Sequence, residues 1–146
     1  MVSRWALLLA LLLSGGALAH TPVVTVTLQN VDSSAWIVTA VEGAEGVAKL
    51  NTENTPITLT PGQRYHFINL GTVQIHPLAI RGADGSSLLN ERPQDRPFET
   101  DTEVDFVADD NGITFTLTDA LAQQVSAYYC TAHPAPLMEA PLKVVR

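Results

Sequence analysis

The sequence predicts an all-β protein, a Greek-key β-sandwich with one short helix. Apolar and polar residues alternate with period two along most of the chain, and β-branched residues dominate the alternating runs. Turn-forming pairs punctuate those runs: Glu42-Gly43, Pro61-Gly62, Asp84-Gly85 and Asn111-Gly112. A chain of 146 residues suits one domain with a short extension.

The extension lies at the N-terminus. Arg4 precedes an apolar run over 5–13, followed by Ser14-Gly15-Gly16 and the small-residue pattern Ala17-Leu18-Ala19. This is the layout of a secretory signal peptide over 1–19. A bilayer span needs about 20 apolar residues, and Gly and Ser interrupt this run too early. The expected product is a domain over 20–146, periplasmic or extracellular, monomeric and not membrane-spanning. Cleavage removes Arg4 and no acid, leaving seven Lys and Arg against fifteen Asp and Glu and a formal charge of −8. Such a surface repels nucleic acid and anionic lipid and attracts a basic protein partner. The chain has a single cysteine, Cys130. A secreted protein with one cysteine closes no internal disulfide, so Cys130 calls for another role.

Strands are expected over 23–28, 35–41, 47–50, 56–59, 64–69, 74–80, 103–107, 113–117, 126–130 and 142–145, where the period-two pattern is clearest. Asp110-Asn111-Gly112 between two alternating segments marks a hairpin. The segment 118–125 breaks the alternation and reads as a short helix, with Thr118 as N-cap and Asp119 in the first turn facing the positive end of the helix dipole. The stretch 89–102 is polar, carries Pro93 and Pro97, and is expected as a surface loop. The acids from Glu91 to Asp110 read as a solvated surface without the pattern of a calcium loop.

The chemistry concentrates near the end of the chain. Cys130, His133 and Met138 leave the end of a strand together and share one loop before the last strand. Thiolate, imidazole and thioether are soft or borderline donors that suit copper, above all Cu(I). A trigonal His₂Cys plane with a weak axial Met needs a second imidazole. His76, in Val73-Gln-Ile-His76-Pro-Leu-Ala-Ile, is placed to supply it from a strand end at the same pole.

Cys-x₂-His-x₄-Met after the aromatic pair Tyr128-Tyr129, with an isolated upstream His and a following Lys143-Val144-Val145 strand, resembles the plastocyanins and their bacterial cupredoxin relatives. The resemblance covers roughly residues 62–146. It implies one type 1 copper ion, Cu(I)/Cu(II), with His76 and His133 as imidazole ligands, Cys130 as thiolate and Met138 as the long axial ligand. It implies electron transport between redox protein partners, docking at an apolar pole of Pro77, Leu78, Pro134, Ala135, Pro136 and Leu137 near His133. Tyr129 resembles the tyrosine of a second, acidic docking site. One departure stands out: where plastocyanins have an Asn whose N–H bonds the copper-bound sulfur, this chain has Pro77, which has none to donate.

Other readings are weaker. A delivery or storage protein would use the same ligands without a redox circuit, and a metal-free cupredoxin-like interaction domain would use none. His66 falls mid-strand in Arg64-Tyr65-His66-Phe67-Ile68, which suits a structural or surface role. His20 would open the mature chain and could chelate copper with its amine, but no motif offers the second His of a brace. One cysteine is too few for a binuclear copper centre, no His-x-His pair is present for a trinuclear cluster, and no nucleophile elbow occurs. Nothing in the sequence points to catalysis.

Overall fold

A computed structural model describes residues 23–133 and 135–146. The expected signal peptide over 1–19 with its expected cleavage site, His20 and Pro134 lie outside the described residues. The chain forms ten strands and one helical turn: β1 (Val23–Val31), β2 (Ala35–Glu42), β3 (Ile57–Leu59), β4 (Arg64–Asn69), β5 (Leu78–Gly82), β6 (Ser87–Asn90), β7 (Val107–Asp109), β8 (Gly112–Thr116), α1 (Asp119–Ala122), β9 (Val125–Cys130) and β10 (Glu139–Val144). Two five-stranded sheets, β2-β1-β4-β8-β7 and β3-β10-β9-β5-β6, form an all-β sandwich. β1 pairs parallel with β4, and β3 parallel with β10; the other pairings are antiparallel. No helix among the described residues is long and apolar enough to cross a membrane.

The alternation read from the sequence becomes the inner face of each sheet. On β1 it buries Val24, Val26 and Leu28, and on β4 Tyr65, Phe67 and Asn69. Tyr65, Phe67 and Phe115 of β8 form an aromatic knot with ring centroids 5.5 to 6.2 Å apart. Such pairs each add about 0.5–1.5 kcal/mol beyond the area they bury. On β9, Tyr128 and Cys130 point inward together, and the Tyr128 hydroxyl donates to the carbonyl of Thr55 at 2.6 Å. The expected cap is present, since the Thr118 hydroxyl accepts from the Leu121 N–H at 3.2 Å. The helix it opens is only Asp119–Ala122, because Val125 is already paired in β9.

Several boundaries differ from expectation. Residues 47–50 form no strand, although Val47 is buried. The expected 74–80 strand begins only at Leu78; residues 71–75 are a turn closed by the N–H groups of Ile75 and His76 on the carbonyl of Thr72. β7 starts at Val107, where the expected 103–107 strand would end, since residues 102–105 turn. The supposed loop over 89–102 yields its first residues to β6, which buries Leu88, Leu89 and Asn90. Glu91 follows them inside at 5% exposure, so the acidic stretch is not wholly solvated.

Candidate metal centre

The antiparallel register of β5 with β9 pairs Leu78 with Cys130, so the first residue of one strand lies beside the last of the other. His76 precedes Leu78 by two residues in the turn from β4, and the N–H of Thr131 donates to the carbonyl of Pro77 at 3.0 Å. His76 thus enters from the approach to a strand rather than from the strand itself. The loop after β9 carries His133 back over Cys130. The three side chains converge, their potential ligand atoms all within 4.8 Å of one another. The Cys130 Sγ lies 3.9 Å from Nδ1 of His76 and 3.3 Å from Nδ1 of His133. The two imidazole rings are tilted by 33° with centroids 4.8 Å apart.

These separations can be tested against a bound ion. Metal–sulfur and metal–nitrogen bonds of about 2.3 and 2.0 Å, at angles between tetrahedral and trigonal, put sulfur about 3.5–3.8 Å from nitrogen. The observed 3.3 and 3.9 Å bracket that range. His76, Cys130 and His133 therefore fit a metal ion. Met138, fully buried, lies across the β9–β10 pair from Cys130, whose N–H donates to the Met138 carbonyl at 2.9 Å. The register brings the fourth expected residue to the same end of the sandwich.

The electrostatics of the two buried donors act in opposite directions on cation uptake. Burial, and to a lesser degree the neighbouring His133, hold the His76 pKa below its ordinary value, which keeps the ring neutral and able to coordinate. Burial pushes the Cys130 thiol up; the backbone N–H groups of Ala132 and His133 oppose this, and Glu91 adds to it. The Cys130 sulfur thus draws on amides of its own loop, where Pro77 has none to give.

Around His76 the structure adds partners that sequence reasoning missed. Nδ2 of the Asn30 carboxamide lies 3.3 Å from Nε2 of His76, at the end of β1, and donates to the carbonyl of Asp32 at 2.9 Å. The edge of Trp36, wholly buried, meets the His76 ring at a centroid distance of 6.2 Å. A Cβ on Gly71 would lie 3.1 Å from Oδ1 of both Asn30 and Asn69 and 3.2 Å from the Trp36 ring, so any larger residue would push these side chains back by a few tenths of an ångström. Asn30 and Trp36 stand 40 or more residues from His76, at positions that carry no local signal.

The apolar pole is partly different from the expected one. Pro77 and Leu78 are buried, whereas Ala135, Pro136 and Leu137 are exposed near the half-buried His133. Leu70 and Ile75, in and beside the His76 turn, add exposed apolar surface at 53% and 62%. Tyr129 lines a shallow cleft together with Cys130 and with Arg81 and Glu139, paired as ions, and none of the acids between 91 and 110 lines it. His66 stays apart from the cluster, half-buried between Thr25 and Thr114. Comparison with protein-family models, with curated proteins and with solved structures found no match to this chain.

Proposed function

We propose that this protein is a small exported type 1 copper protein that carries single electrons between protein partners. The convergence of a buried cysteine with two imidazoles at one end of an all-β sandwich is the observation that carries this reading. A thiolate with two imidazoles favours copper or zinc over hard cations, and a thioether as fourth donor tilts the choice to copper. Bound there, copper supplies a one-electron Cu(I)/Cu(II) couple. The chain's own part is to hold the donors still. Cys130 is fixed in β9, His133 follows it by three residues, and His76 is held from behind by Asn30 and Trp36. Donors fixed in this way need little movement on a change of charge. The exposed Leu70, Ile75 and Leu137 offer an apolar docking face, and the net negative charge beyond it steers a basic partner.

Titration of the apo protein with Cu(II) tests this directly. An intense blue thiolate-to-copper band at one ion per chain, with reversible one-electron voltammetry, is the expected result. A colourless complex would instead favour delivery or storage, and no uptake at all would leave a metal-free interaction domain. Met138→Leu is expected to keep the colour while raising the potential by about 59 mV or more, a tenfold shift in the one-electron equilibrium. An unchanged potential would remove Met138 from the axial position.

A further inference from the structure

The acid at position 91 does not behave as its neighbours do. Glu91 is 5% exposed and has no ion-pair partner among the described residues. Burial raises its pKa, the desolvation outweighing the hydrogen bonds it accepts. A carboxyl kept inside without a countercharge is costly, and such violations concentrate where function requires them.

What it accomplishes is visible in its contacts. Oε2 accepts from Nδ2 of Asn69 at 2.7 Å and from the N–H of Leu78 at 2.9 Å, while the Glu91 N–H donates to the Leu78 carbonyl at 2.9 Å. Asn69, itself 4% exposed, donates from the same Nδ2 to the carbonyl of His76 at 2.8 Å and accepts the N–H of Gly71 at 2.8 Å. With the His76 N–H on Thr72 and the Pro77 carbonyl on Thr131, every backbone polar group from His76 to Leu78 is engaged. Glu91 holds Leu78 directly and His76 through Asn69. Its remaining oxygen, Oε1, is buried with no partner.

The structure assigns Glu91 the part of positioning residue for the His76 arm: its carboxylate fixes the turn that brings Nδ1 of His76 to Cys130. This rests on the metal-centre reading and adds to it a residue outside the donor set. Glu91→Gln keeps an acceptor for both N–H groups. Glu91→Asp is one methylene too short to reach them, and Glu91→Leu has no acceptor.

Copper titration of the three variants, followed by visible absorption and electron paramagnetic resonance, supplies the test. Glu91→Gln is expected to match the parent spectrum, whereas Glu91→Asp and Glu91→Leu bind about 10–100-fold more weakly, the usual loss when an outer partner of a ligand goes, with an altered copper hyperfine splitting. Parent-like binding by Glu91→Asp and Glu91→Leu would overturn the assignment, as would a Glu91→Gln impaired as deeply as they are. Amide exchange on the apo protein separates this inference from the copper reading. If the parent takes up no copper, the metal centre fails, while the role of Glu91 in holding the turn still shows as a Leu78 N–H protected in the parent and Glu91→Gln and exposed in Glu91→Asp. Equal protection in all of them would refute it.

Discussion

Cys130→Ser is expected to abolish the blue absorption of the copper-loaded protein completely. It should also weaken copper binding by more than the roughly 10–100-fold that loss of an outer partner brings, because a serine oxygen is a hard donor that does not replace a thiolate. The fold should survive: Cys130 is buried with no disulfide to lose, and burying a hydroxyl in its place costs about 1–3 kcal/mol. Visible titration beside a thermal melt separates the two effects, and a variant that stayed blue would end the thiolate assignment. The same sulfur sets a pH dependence. Burial holds the thiol above its ordinary pKa, so at neutral pH it is protonated before an ion arrives and loses that proton on coordination. Apparent affinity should therefore climb about tenfold per pH unit until the thiol ionises unaided. Proton release, followed with an indicator dye in weak buffer, should fall by one per ion in the serine variant.

Gly112→Ala is expected to be the most damaging single change outside the metal centre. Gly112 opens β8 at φ +139°, and a Cβ there would sit 1.9 Å from the carbonyl oxygen of Phe67. That oxygen belongs to the backbone of β4, where Ile68 is paired with Gly112, so no side chain can swing aside to make room. Relief requires the two central strands to part beneath the aromatic knot. A loss on the order of 3–5 kcal/mol is expected, in the range reserved for steric violation of a special backbone position. Out of a total stability of about 5–15 kcal/mol for such a domain, this brings the chain close to unfolding. Gly62→Ala is the control: its φ is +82° but nothing lies within 4 Å of the added carbon, so only the left-handed backbone counts, about 1–2 kcal/mol. Urea denaturation of both variants gives the comparison, and equal losses would show that the contact at Phe67 yields.

Much of this architecture is written locally in the chain. The 64–69 strand was legible to the residue, because Tyr65, Phe67 and Asn69 face in while their neighbours face out. The nearness of Cys130 and His133 was legible because they stand three residues apart at a strand end. His76 required a guess about topology, and the Leu78–Cys130 register answers it. The failures have physical reasons. Val73 and Ile75 look like strand residues, yet the 71–75 segment turns: hydrogen bonds to Thr72 and to Asn69 close it, and alternation cannot report them. Glu91 looked like surface because acids usually are, and only the approach of Asn69 and Leu78 from other strands makes its burial tolerable. Asn30 and Trp36 meet His76 through the pairing of β1 with β4 and β2, a long-range consequence of the sheet with no trace in nearby residues.

The place of β10 has a kinetic consequence. This strand, formed from the last residues of the chain, runs between β9 and β3 instead of along a border of its sheet. Until it arrives, β3 has no strand neighbour, and residue 138 has nothing to hold it across from residue 130. Bringing residue 138 beside residue 130 is thus tied to a non-local closure of the kind that slows all-β chains, and shortening β10 should dismantle this end of the sandwich together with the sheet that supports it.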